Sequence, residues 1–91
     1  MEKNDKIVMI TAVSKALEYR KVHPSSNVEE IINFVIRTIP ERGEQKIGAV
    51  AAVSRAVKYK EKNPRSTDKE VMQKIVNELD EILNVVREPR E

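Results

Sequence analysis

No cysteine and no tryptophan occur in this chain, and histidine appears once, at His23. Without cysteine, disulfides and thiolate chemistry are excluded, and with a single histidine so are the common zinc sites. No cofactor, no metal site and no catalytic residue is therefore expected. Aromatic residues make up 3% of the sequence against 40% hydrophobic residues, so a core must be built from Ile, Val, Leu, Met and Ala. Long apolar runs are missing too. The stretch 7–13 contains Thr11 and stops at Ser14 and Lys15, short of a bilayer span, and nothing after it resembles a signal-peptide cleavage site. A soluble, cytoplasmic protein is the expectation. Glutamine occurs only at Gln45 and Gln73, while 35% of residues are charged, a balance typical of thermophile proteins. The formal charge of +2 neither requires nor excludes a nucleic-acid partner.

What is present is a repeat. Residues 7–39 align without a gap on residues 47–79, an offset of forty. Identities fall at Ile7/Ile47, Ala12/Ala52, Val13/Val53, Ser14/Ser54, Ala16/Ala56, Tyr19/Tyr59, Pro24/Pro64, Ser26/Ser66 and Glu30/Glu70. Like-for-like pairs lie between them, among them Lys15/Arg55, Leu17/Val57, Ile31/Val71 and Val35/Ile75. Internal periodicity decides the architecture before any local signal does. Each half is too short to be comfortably stable alone, so both are expected to share one core in a single domain, 1–91. The first repeat spans about 6–39, the linker 40–45 and the second repeat about 46–88.

The spacing of Met9, Ala12, Val13, Ala16 and Leu17 predicts a helix over about 6–22 with one buried face. Pro24 stops it, because the residue before a proline is pushed out of the helical region. A second helix opens at Asn27, three residues before Glu30, and its copy opens at Thr67, three before Glu70; both pairs have capping-box spacing. The third helix runs from about 45 to 62. The fourth runs from 68 to about 87, before Pro89, and outlasts its counterpart, which ends at Pro40. Two hairpins with short loops follow, giving an all-α, four-helix domain of tandem repeats. The first and third helices are rich in small residues, most of all in Gly48-Ala-Val-Ala-Ala-Val-Ser-Arg-Ala56. Ala12, Ala16, Ala52 and Ala56 are therefore expected where these helices meet across a pseudo-twofold axis.

The repeat absorbs most residues that could suggest chemistry. Ser14 and Ser54 would each need a base and an orienting group, which His23 cannot supply to both; a place beside the contact of the first and third helices, with the hydroxyl bonded back to the preceding turn, accounts for them. Tyr19 and Tyr59 can lay their rings over Pro24 and Pro64. Glu29/Glu30 belong to a first helical turn, where the helix dipole favours acids. Ala52-Val-Ser-Arg-Ala-Val57 followed by Asn63-Pro-Arg-Ser66 resembles the recognition segment of lac-repressor-type headpieces. The loop here is longer, however, and no helix with a tight glycine turn precedes Ala52, so the tandem repeat accounts for the pattern and that family does not.

Two binding surfaces are expected. Three apolar residues of the first repeat are charged in the second: Val22/Lys62, Val28/Asp68 and Phe34/Lys74. Phe34 lies off the main stripe of its helix. Either the overhang of the fourth helix folds over it, or Phe34 and that overhang stay exposed; the expectation is the latter, a partner surface of Phe34, Ile82, Val85 and Val86. The alternative is a nucleic-acid-binding strip of Arg55, Lys58, Lys62 and Arg65, joined by Lys60, at the end of the third helix. A non-enzymatic interaction or assembly module is the leading reading, with a protein partner or a second copy. No membrane and no small-molecule substrate is expected.

Overall fold

Both predicted capping boxes form. Asn27 accepts from the backbone N–H of Glu30 at 2.9 Å while the Glu30 carboxylate takes the Asn27 N–H at 3.0 Å. Thr67 and Glu70 exchange the equivalent pair at 3.1 and 2.9 Å. In a computed structural model, which describes residues 2–87 and the side chains of residues 5–86, the chain is all-helical. The helices are α1 (Glu2–Val22), α2 (Val28–Thr38), α3 (Glu44–Lys62), α4 (Asp68–Asn77) and α5 (Leu79–Arg87). No strand occurs among the described residues. Residue 88 and Pro89, expected to close the last helix, lie outside them. No helix is long and apolar enough to cross a membrane.

The two interhelical loops are built alike. His23 N–H bonds the Tyr19 carbonyl at 2.8 Å and Ser26 N–H bonds the His23 carbonyl at 3.0 Å; Asn63 and Ser66 repeat both bonds at 2.9 Å. Pro24 and Pro64 each stand two residues past a helix end, after His23 and Asn63. Gly43 connects α2 to α3 with φ +65°, a left-handed backbone that glycine adopts without the Cβ clash other residues meet.

The core draws on all five helices. Met9, Ala12, Val13, Ala16 and Leu17 of α1 face inward with Ala49, Ala52, Val53, Ala56 and Val57 of α3, and α1 against α3 is the most extensive helix pair. Ala12, Ala16, Ala52 and Ala56 are each no more than 1% exposed. Ile31, Val35 and Ile39 close one side, and Val71, Ile75 and Leu79 the other.

One element departs from expectation. The predicted fourth helix is two, α4 and α5, broken at Glu78 (φ −109°, ψ 6°), whose N–H bonds back to the Ile75 carbonyl. No glycine or proline marks the break. The turn sets α5 against α3, burying Ile82 and Leu83, with a Leu83 methyl 3.8 Å from where a Cβ on Gly48 would stand. It also carries the Glu78 carboxylate to within 3.0 Å of Arg55 and 2.5 Å of Lys74. The hydrophobic stripe alone is compatible with one straight helix, and only these contacts with α3 distinguish the two arrangements.

Candidate functional site

Arg55, Lys58, Tyr59 and Lys62 follow one another at helical spacing along the outer face of α3, and Lys74 leans across from α4. Together with Ser54 they line an open depression of about 480 Å³ with no acidic residue in its wall. The Lys74 ammonium stands 5.3 Å from the centre of the Tyr59 ring, a cation–π contact. Behind the depression, Glu78 bridges Arg55 at 3.0 Å and Lys74 at 2.5 Å, and Glu81 approaches Arg55 at 3.5 Å. Hydrogen bonds from Lys74 and Arg55 hold the Glu78 carboxyl below the usual carboxylate range. The same bonds to Glu78 raise Arg55 and Lys74 above their ordinary values. Glu78 thus anchors two cations, and with Glu81 beside Arg55 this cluster carries no net charge.

The expected strip is partly redrawn. Arg55, Lys58 and Lys62 share the depression, and Lys74, which lies outside the strip expected from sequence, joins them. Arg65 instead lines a neighbouring hollow on the loop with Asn63, Pro64 and Glu70. Lys60 turns away, donating to the Ser66 carbonyl, and so closes its own hairpin.

At the matching place in the first hairpin lies a second depression, of about 340 Å³, lined by Lys15, Glu18, Tyr19, Val22, His23 and Phe34. Its chemistry is different. Phe34 stacks on Tyr19 with ring centres 4.4 Å apart and planes 25° apart, and His23 meets the same tyrosine at 4.5 Å. The Tyr19 ring, expected over Pro24, is thus paired with a residue fifteen positions away. Val22 is 72% exposed at the rim. The forty-residue offset maps this lining onto Arg55, Lys58, Tyr59, Lys62, Asn63 and Lys74. All but Asn63 line the basic depression.

The partner surface expected from Phe34, Ile82, Val85 and Val86 is not one patch. Phe34 is half-buried against Tyr19, and α2 and α5 have no extensive contact. Ile82 is 2% exposed because the turn at Glu78 presses it onto the core, which corrects its assignment to the surface. Val85 is 58% exposed and Val86 half-buried.

The remaining candidates have structural partners or places. Ser14 is exposed, and Ser54 lines the basic depression. Asp80 pairs with Lys6 at 2.8 Å. Asp68, the charged counterpart of Val28, meets Lys21 of α1 at 3.4 Å. Tyr19, Tyr59, Glu18 and Lys74 are lining residues that sequence reasoning missed. The signal that finds Glu18 and Lys74 is the set of disagreements between the two copies, since Glu18/Lys58, Val22/Lys62 and Phe34/Lys74 converge on the two depressions; Tyr19 and Tyr59 are identical and carry no such signal. Comparison with protein-family models, with curated proteins and with solved structures finds no match to this chain.

Proposed function

We propose that this chain is a non-enzymatic interaction module of a thermophile cytoplasm, made of two tandem helical hairpins related by a pseudo-twofold axis. The matched capping boxes, the matched loop hydrogen bonds and the buried alanines at equivalent positions of α1 and α3 support the repeat. The observation that carries the functional reading is where the copies differ. Residues at the core are alike, whereas Val22/Lys62, Phe34/Lys74 and Glu18/Lys58 change chemical type in the two depressions. A framework kept alike with clefts made unlike fits binding better than it fits stability.

The apolar cleft of the first hairpin is the protein-binding face in this reading, and a second copy of the chain is its partner. Val22, Tyr19 and Phe34 offer exposed apolar area next to one cation, Lys15, and one acid, Glu18. Such a face complements itself across a twofold, each Lys15 meeting the other copy's Glu18. Sedimentation equilibrium over a range of concentrations tests this. A mass rising to twice that of the chain is expected; a monomer throughout contradicts it.

A further inference from the structure

We propose that the basic cleft between α3 and α4 binds single-stranded nucleic acid, a site that does not depend on self-association. Three observations combine. First, Arg55, Lys58, Lys62 and Lys74 converge on one depression; Glu78 and Glu81 offset Arg55 and Lys74, so Lys58 and Lys62 supply its net positive charge, in a chain whose charges otherwise nearly cancel. Second, Arg55 and Lys74 are held in place by Glu78, so their side-chain entropy is already spent before a ligand arrives. Third, Tyr59 stands half-exposed among the cations, and Lys74 lies over its ring. A phosphate that engages Lys74 brings its base beside Tyr59, the pairing of cation and aromatic surface that single strands use.

The same geometry argues against a duplex. α3 is packed against α1, α2, α4 and α5, which leaves its outer face as the one a nucleic acid can meet. Its cations occupy a concavity, and Tyr59 could reach a base only where that base is unpaired. From Arg55 to Lys62 the helix rises by roughly 10 Å, enough to follow a short run of phosphates along one strand. An acidic peptide would satisfy the cations but would leave Tyr59 without a stacking partner.

Fluorescence anisotropy with a labelled oligodeoxythymidine of about ten nucleotides tests the site. The wild type is expected to bind with a log–log salt slope near about −2, the value for about three phosphates neutralised on a single strand. Lys58→Glu/Lys62→Val copies the first hairpin at two exposed positions, so the fold should survive, as circular dichroism can verify. It should weaken binding by about tenfold or more and flatten the salt slope. Tyr59→Leu should weaken binding by about fivefold with the slope unchanged, because stacking releases no counterions. Lys69→Glu, which copies Glu29 on the exposed first turn of α4 outside the cleft lining, should weaken binding less than Lys58→Glu/Lys62→Val does. Absence of binding at low salt, or equal binding by the Lys58→Glu/Lys62→Val variant, overturns the proposal. So does tighter binding of the matched duplex or of polyglutamate at equal salt.

Discussion

Glu78 performs three tasks at once: it ends α4, its carbonyl accepts the Ile82 N–H of α5 at 2.9 Å, and its carboxylate joins Arg55 to Lys74. Its effect on stability has a definite sign. The folded carboxyl titrates below its ordinary value because Lys74 and Arg55 donate to its ionised form. The stabilisation is therefore complete above the usual carboxylate range and is lost as pH falls through the folded value. Thermal melts should show wild type losing more stability between about pH 5 and pH 3 than Glu78→Gln, which cannot titrate. Parallel pH profiles for the two proteins would show that the bridge contributes nothing. Glu78 was not legible as a junction, because neither glycine nor proline stands there and its partner Arg55 is twenty-three residues away. The capping residues were legible, because Asn27 and Thr67 act on neighbours three positions along.

Among the elements, the contact of α1 with α3 carries the most weight. Ala56 is fully buried there, so Ala56→Leu must displace close-packed neighbours and should cost about 1–3 kcal/mol in a urea melt. An unchanged midpoint would mean that the helices have room to spare. Gly48 in the same helix behaves oppositely. A methyl group on it would meet the Met9 side chain at 3.7 Å and Leu83 at 3.8 Å, ordinary contact distances. Gly48→Ala should therefore stabilise by about 0.5–1 kcal/mol, through lower backbone entropy in the unfolded chain. A loss of stability would show that α5 sits closer to α3 than these distances imply. The helices themselves were readable from periodicity, with ends at Val22, Lys62 and Asp68 where proline or a cap places them. The direction of α5 was not. Residues 71, 75, 79, 82, 83 and 86 form one stripe whether the helix is straight or broken, and only contact with α3 separates the two.

At the scale of the whole molecule, the residues that the two copies share and those that they do not have different work. Shared residues build the core and the loop hydrogen bonds, and the forty-residue offset alone makes them visible. Arg55, Lys58 and Lys62 show in the sequence as a basic strip and the first cleft only as disagreements, since that offset cannot say that Tyr19 reaches Phe34 or that Lys74 crosses to Tyr59. In the function proposed above, these differing residues serve binding and the fold tolerates their exchange. Val22→Lys/Phe34→Lys, which gives the first cleft the lysines of the second, tests it directly when mass by light scattering and thermal melting are measured on the same sample. The expected result is a folded protein that has lost its dimer, less stable by about 1 kcal/mol for the missing Tyr19–Phe34 stack. A variant that fails to fold, or one that keeps the wild-type mass, would contradict it.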